Sequence, residues 1–311
     1  MIFKKTQINR ITLKNRVIIG PMCQYSAING KPSPWHFKHL KYLSKLGAGL
    51  LMIESTAVSK SGRISHNDLQ LSNLDQQKSF LKLIKHLKRD DNIPIGIQIS
   101  HAGRKGSAQI PWIKSNTTLK KNEGAWQTYA PTAIKRDPNW PKPKELSKKN
   151  LELIISDFKN STLRAKKAGF DCLEIHMAHG YLLHQFISPI SNKRKDSFGG
   201  SLKNRCRYPL EIFKQVRKIW PKNRILGVRI TGSDHLKNGI NINDAIYLVK
   251  QIKNLGADYV AVSSGGILSK TNMKFYSGHR VNLAKAIKEK TGMRVVTLGM
   301  INSIKLINKI F

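Results

Sequence analysis

Two histidines set three apart, His176 and His179, stand directly after the apolar run Cys172-Leu173-Glu174-Ile175 and directly before Gly180-Tyr181. If that run is a buried strand, its end can aim both imidazoles at one acceptor. Two N–H donors converging on a carbonyl oxygen stabilise negative charge that develops there during a reaction. Two other readings are open to the pair. One is a metal site, since His184 follows, although no carboxylate or thiolate sits nearby at ligand spacing. The other is a pair of packed core histidines.

The same juxtaposition recurs along the chain. Residues 17–20 lead into Pro21-Met22-Cys23-Gln24-Tyr25-Ser26, and residues 49–53 into Glu54-Ser55-Thr56-Ala57. The run Ile95-Gly96-Ile97 delivers Gln98 and then His101-Ala102-Gly103-Arg104-Lys105; residues 225–230 carry Arg229; residues 259–262 precede Ser263-Ser264-Gly265-Gly266. One polar strand end is a weak signal. Six in register imply a common rim, the arrangement by which barrel enzymes assemble their sites.

Elements must bring these ends together. Seven short runs rich in Val, Ile and Leu, the last at 294–298, have the length and β-branched content of buried parallel strands. Helical spacing fills the intervals. Leu151, Ile154, Ile155, Phe158, Thr162 and Ala165 follow a 3.6-residue period that Gly169 should end, and Asn243 is expected to cap a helix over 245–255. Alternating strand and helix predicts an α/β fold, a (β/α)8 TIM barrel with the N-terminal hairpin of residues 3–15 over its floor. A doubly wound sheet is the alternative, but its glycine-rich phosphate fingerprint does not follow the first strand. Residues 1–311 read as one domain. Since only seven strands can be counted, the barrel is expected to be truncated after the seventh, its last βα unit missing.

The chain of 311 residues has 55 Lys plus Arg against 18 Asp plus Glu, a net charge of +37. Nucleic-acid binders gather such charge on one stripe or tail, whereas here lysines occupy nearly every segment, beside abundant Ile and Asn. That pattern fits an AT-rich coding sequence and a solvated basic surface, so no nucleic-acid partner is expected. Phosphate-bearing cofactors would gain from the field in either case. No apolar run is long enough to span a bilayer, the start lacks a secretory apolar segment, and Cys23, Cys172 and Cys206 are too few and scattered for a disulfide framework. These features together predict a cytoplasmic, membrane-free protein.

Pro21-Met22-Cys23-Gln24-Tyr25-Ser26, Gly62-Arg63-Ile64-Ser65, His101-Ala102-Gly103-Arg104-Lys105, Glu174 through Leu182, and Asp196-Ser197-Phe198-Gly199-Gly200-Ser201 with Asn204-Arg205 resemble the Old Yellow Enzyme family in order and spacing. The cysteine after Pro-Met and the His-x-x-His pair are similar to its thermophilic-type bacterial ene-reductase branch. The resemblance implies FMN as cofactor, NADPH or NADH as hydride donor, and a small activated alkene as substrate, an α,β-unsaturated carbonyl or nitro compound. It also implies roles: His176 and His179 hold the carbonyl oxygen, Tyr181 protonates the α-carbon, and Tyr25 is a second donor over the ring. Backbone at Pro21, Met22 and Ser55 would line the flavin. The Cys23 thiol would lie near it and tune its potential, while Gln98 meets the pyrimidine edge. Arg229 would stabilise the anionic reduced ring, and Gly299 would begin the phosphate cradle. Plainer readings stay open: core aromatics for Tyr181 and Tyr25, a small buried thiol for Cys23, a structural ion pair for Arg229. His101, Arg104 and Lys105 are expected near the mouth without a catalytic role, and Gly199-Gly200 in a turn. A full-length form would be a homo-oligomer. Two rival functions are a non-catalytic truncated remnant of such a barrel and the barrel portion of a larger dienoyl-CoA-reductase-like flavoenzyme.

Overall fold

The computed structural model describes residues 1–89 and 93–311. The chain begins with an antiparallel hairpin, β1 (Thr6–Ile8) and β2 (Ile11–Leu13), followed by β3 (Ile18–Ile19), α1 (Pro34–Ser44), β4 (Leu50–Ala57), α2 (Leu74–Lys88) and β5 (Ile95–Ser100). A long excursion carries α3 (Pro111–Lys114), β6 (Tyr129–Ala130) and β7 (Lys144–Glu145). Then come α4 (Lys148–Ala168), β8 (Cys172–Met177), α5 (Leu182–Ile187), α6 (Leu202–Ile219), β9 (Ile225–Thr231), α7 (Ile242–Asn254), β10 (Tyr259–Ser263), α8 (Val281–Thr291), β11 (Val295–Val296) and α9 (Ile304–Ile310).

All seven runs anticipated as strands pair in parallel, in the order β3-β4-β5-β8-β9-β10-β11, which is their order along the chain. The ladder is in register. Gly96, Cys172 and Ile225 share one row; Gln98, Glu174, Gly227 and Tyr259 the next; His176, Arg229, Ala261 and Val296 a third. Alternate residues of a strand face opposite sides, so these rows face one way and Ile97, Leu173, Leu226, Ile175, Val228 and Val260 the other. The second set meets the helices in the main core. The first set encloses a smaller core of Leu50, Met52, Cys172, Ile225, Tyr259 and Ala261, against which Ile18 and Val296, from the two end strands, both pack. Side chains from opposite ends of the ladder can meet there only if the sheet curls. Ile8 and Leu13 of the hairpin join this inner cluster, so the hairpin plugs the floor. Burying each contributes about 1.5–3 kcal/mol. Among the described residues no pairing joins β3 to β11.

Local signals explain the helices. Ser147 caps α4 through Asn150 N, and Gly169 ends it at φ +91°, a left-handed conformation that costs glycine little. The cap of α7 is displaced from expectation. Asn241, not Asn243, receives the N–H groups of Asn243 and Asp244, while the Asp244 carboxylate returns to Asn241 N at 3.1 Å. The reciprocal pair satisfies both ends, which Asn243 two residues later cannot do.

Candidate active site

His176 stands one residue before the end of β8 on the inner face, and the chain then turns back through Ala178, His179 and Gly180. Positive φ at His179 (+56°) and Gly180 (+73°) makes the turn tight. Its position is set by contact with the β10 loop: a Cβ on Gly180 would lie 2.1 Å from Gly266 O, and one on Gly266 2.7 Å from His179 Cα. Only paired glycines permit this approach. Below the turn, Gly180 N donates to His184 Nδ1 at 2.7 Å, His184 Nε2 meets Asp234 at 3.1 Å, and Ser188 donates to the same carboxylate at 2.7 Å. His184 and Asp234 are wholly buried. Lys105 closes the other side, its ammonium donating to His179 O at 2.7 Å and lying 4.9 Å from the centre of the Tyr181 ring.

The imidazoles form a directed chain. Ala178 N donates to His176 Nδ1 at 3.1 Å, which leaves the His176 proton on Nε2. That N–H faces His179 Nδ1 at 3.2 Å, and His179 Nε2 faces Ser263 Oγ at 2.5 Å. Burial, reinforced by Arg229, holds both imidazoles well below the usual histidine range, so both are neutral. The Tyr181 ring stands edge-on to His176 at 4.7 Å, and burial pushes its phenol well above the usual range. Burial, with Arg136 and Arg104 close, brings the Lys105 ammonium down to about 7.

One row deeper lies a polar layer. Gln98 Nε2 donates to Glu174 Oε1 at 2.6 Å, and Tyr259 OH to Glu174 Oε2 at 2.8 Å. Gly227 makes this possible: a Cβ there would sit 2.1 Å from the Tyr259 ring. Burial raises the Glu174 carboxyl, while Arg229, Gln98 and Tyr259 pull it back. Arg229 is thus within electrostatic reach of Glu174, yet its Nε is buried without an acceptor among the described residues.

In the pairing of β4 with β5 the ladder shifts register between Ile53 and Ser55, and this irregularity sets Glu54 apart from the regular pairing. The buried Glu54 accepts from Gln24 N at 3.1 Å and approaches His36 Nε2 at 3.6 Å, which fixes the loop that carries Cys23 and Tyr25. Burial, then the Asp68 and Glu54 charges, push the Cys23 thiol well up, so it stays protonated. Tyr25 adopts φ +47° with its ring edge-on to Trp112 at 5.6 Å, and packs with Cys23 and Tyr181 against Ala102 and Trp140. Ser55 Oγ bonds Ser100 Oγ at 2.6 Å; Met22 is exposed and Pro21 half-buried. Gly299, after β11, turns at φ +122° against His279.

The structure therefore brings His176, His179, Tyr181, Tyr25, Cys23, Gln98 and Arg229 to one end of the curled sheet. His101 and Arg104, expected near the mouth, are both buried. Arg104 donates to the carbonyls of Ile134, Lys135 and Ile267 and so ties three loops together. Glu174, Ser263 and the His184–Asp234 pair went unassigned on sequence, although a lone acid inside an apolar strand, as at Glu174, is a legible signal. Among the described residues no three potential metal ligands converge, and no helix is long and apolar enough to cross a membrane.

Residues 1–310 match the NADH:flavin oxidoreductase / NADH oxidase family. An NADH:flavin oxidoreductase of Gibberella zeae is 39% identical over 95% of this chain and 75% of its own length. NADPH dehydrogenases of Clostridium acetobutylicum and Bacillus subtilis are 36% and 37% identical, over 99% and 96% of this chain and 86% and 83% of theirs. Among solved structures, a 2-naphthoyl-CoA reductase complex superposes with a TM-score of 0.89 at 21% identity, over 99% of this chain and 48% of that one. Morphinone reductase does so at 0.80 and 22%, over 99% and 82%. The likeness in fold and the identity to curated relatives agree: this chain is a flavin-dependent oxidoreductase and belongs to the NADH:flavin oxidoreductase / NADH oxidase family, the family of Old Yellow Enzyme.

Proposed function

We propose that this enzyme reduces the activated C=C bond of α,β-unsaturated carbonyl or nitro compounds, with FMN as its cofactor and NADPH or NADH as the source of hydride. The residues present fit FMN. Arg229 Nε is a buried donor without an acceptor, Gln98 keeps its amide oxygen after bonding Glu174, and Gly299 is a turn with no side chain to obstruct it. When bound, FMN supplies hydride chemistry that no side chain here can. Arg229 would face the electron-rich edge of the ring, and Cys23 would remain beside it as a neutral thiol.

The observation that carries the substrate assignment is the 3.2 Å gap between His176 Nε2 and His179 Nδ1. The Ser263 hydroxyl can donate to His179 Nε2 as well as accept from it, and when it donates, the His179 proton sits on Nδ1. His176 Nε2–H and His179 Nδ1–H then stand side by side, and a carbonyl or nitro oxygen placed to one side of the pair, at hydrogen-bond distance from each, accepts from both. Because both imidazoles are held neutral, they stabilise developing negative charge as hydrogen-bond donors. Tyr181, edge-on to His176, carries the proton for the α-carbon, and its high pKa keeps it protonated until that step.

Stopped-flow absorbance of the purified flavoprotein tests this. His176→Ala/His179→Ala should slow reoxidation by 2-cyclohexenone about 100-fold or more while reduction by NADPH changes far less. Unchanged reoxidation with FMN still bound would refute the role.

A further inference from the structure

Arg280 is placed against electrostatic expectation. It is the N-cap residue of α8, at the positive end of an 11-residue helix that has no side-chain cap and no acid in its first turn. Its guanidinium is half-buried and donates from Nε to Ser264 Oγ at 3.0 Å. Burial, then the neighbouring Arg229, draw its pKa down, and no carboxylate is among the groups acting on it. Two guanidiniums and a helix N-terminus thus share one region, and the carboxylate in electrostatic reach, Glu174, acts on Arg229 rather than on Arg280.

The Gly299 turn brings further groups to the same place. A Cβ on Gly299, in the turn after β11, would lie 3.4 Å from Arg280 Cβ and 3.1 Å from His279 Cε1, so this turn, the β10 loop and the start of α8 meet at one point. His279 is more than nine-tenths buried; its Nδ1 is engaged with Tyr276 O at 3.0 Å, and its Nε2, beside Gly299, has no partner. A strongly charged oxyanion satisfies a guanidinium and helix N–H groups together, beside the orphaned imidazole.

We propose that Arg280, with His279 and the N-terminus of α8, binds the phosphate monoester of FMN beside the Gly299 turn. The inference rests on the FMN reading above. It assigns phosphate recognition to a side chain from the segment between β10 and α8, in addition to the Gly299 backbone.

The test compares FMN with riboflavin, which has the same ring and ribityl chain but no phosphate. Quenching of flavin fluorescence on titration with flavin-stripped protein gives both dissociation constants. Arg280→Met should weaken FMN binding about 10- to 100-fold and riboflavin binding less than about 3-fold, and Arg280→Lys should recover part of the loss. If Arg280→Met does not fold, Arg280→Gln, which retains a donor toward Ser264, reads the same contrast. Equal weakening of both flavins, or no weakening of either, overturns the assignment to phosphate. If the unmodified protein binds neither flavin, the FMN reading itself fails, and this inference with it.

Discussion

Glu174 is the perturbation most exactingly specified by the structure. Its carboxylate is 2% exposed and accepts from Gln98 at 2.6 Å and Tyr259 at 2.8 Å. Hydrogen bonds to a charged group contribute about 1.5–3 kcal/mol each, so the pair amounts to about 3–6 kcal/mol. The raised carboxyl pKa shows that burial cancels part of this. Glu174→Ala also leaves two buried donors unpaired and removes a carboxylate that balances Arg229, and removing one partner from a buried ionic cluster costs about 3–5 kcal/mol. Urea unfolding followed by tryptophan fluorescence should therefore show Glu174→Ala less stable by about 3–5 kcal/mol. Glu174→Gln keeps the shape but can accept only one of the two donors, so its loss should be about 1–3 kcal/mol. Gly227→Ala attacks the same contact from the other side, because its Cβ would drive the Tyr259 ring off the carboxylate. Combining Glu174→Gln with Tyr259→Phe should be non-additive by at least about 0.5 kcal/mol, as for residues in one network. Additive losses, or Glu174→Ala within about 1 kcal/mol of the parent, would refute the account of a coupled layer beneath the site.

Three further outcomes can be checked. Asp68 is pushed from the model-compound value of 3.8 to about 7 by burial, with Ser65 and the Ile64 N–H pulling the other way. Between about 4 and about 7 the folded state holds a proton that the unfolded chain has lost. Its stabilisation is full below 4 and drains as pH rises to 7, so the parent-minus-Asp68→Asn unfolding free energy should fall by on the order of 1 kcal/mol per pH unit; a flat difference excludes this. His184→Ala leaves Asp234 and the Gly180 N–H without their partner and should lower stability by about 3 kcal/mol in urea unfolding, whereas a loss under 1 kcal/mol would mean that the pair does not hold the turn. Gly266→Ala, at φ +94° and with a Cβ 2.7 Å from the His179 backbone, should cut alkene turnover at least about 10-fold with FMN affinity altered less; unchanged turnover would show that the two loops can separate freely.

The architecture was legible because its signals are local and repeated. Seven β-branched runs, each followed by a glycine or a polar cluster, became seven parallel strands in chain order, and the period from Leu151 to Ala165 became α4. Boundaries were less so, as at Asn241, where a reciprocal bond with Asp244 decided between two asparagines two residues apart. At the site, strand-end residues could be found because a register row carries them to a shared rim. What could not be read was which neighbour each would choose. His176 and His179 were expected as a pair, and the structure adds a neighbour that spacing did not suggest, Ser263, 84 positions from His179. Contact of that kind depends on Gly180 and Gly266 letting two loops touch, which spacing along a single segment does not encode.

Net charge illustrates the same limit. A total of +37 says little about a site, because solvated lysines are screened within roughly 10 Å at ordinary salt. What matters is where cations stand without acids. The buried carboxylates Glu54, Asp68 and Glu174 support the floor and walls through their own donors, whereas Arg229 and Arg280 sit nearby with donors or charge left over. A scaffold that spends its acids on internal hydrogen bonds and leaves guanidinium donors over is complementary to a ligand that brings its own negative charge, at one end as phosphate and at the other as an electron-rich ring. On that reasoning the same cofactor that performs the chemistry also relieves the site's electrostatic strain. Melting temperature should then rise more on adding FMN than on adding riboflavin at equal free concentration, and equal rises would break the link between charge placement and cofactor.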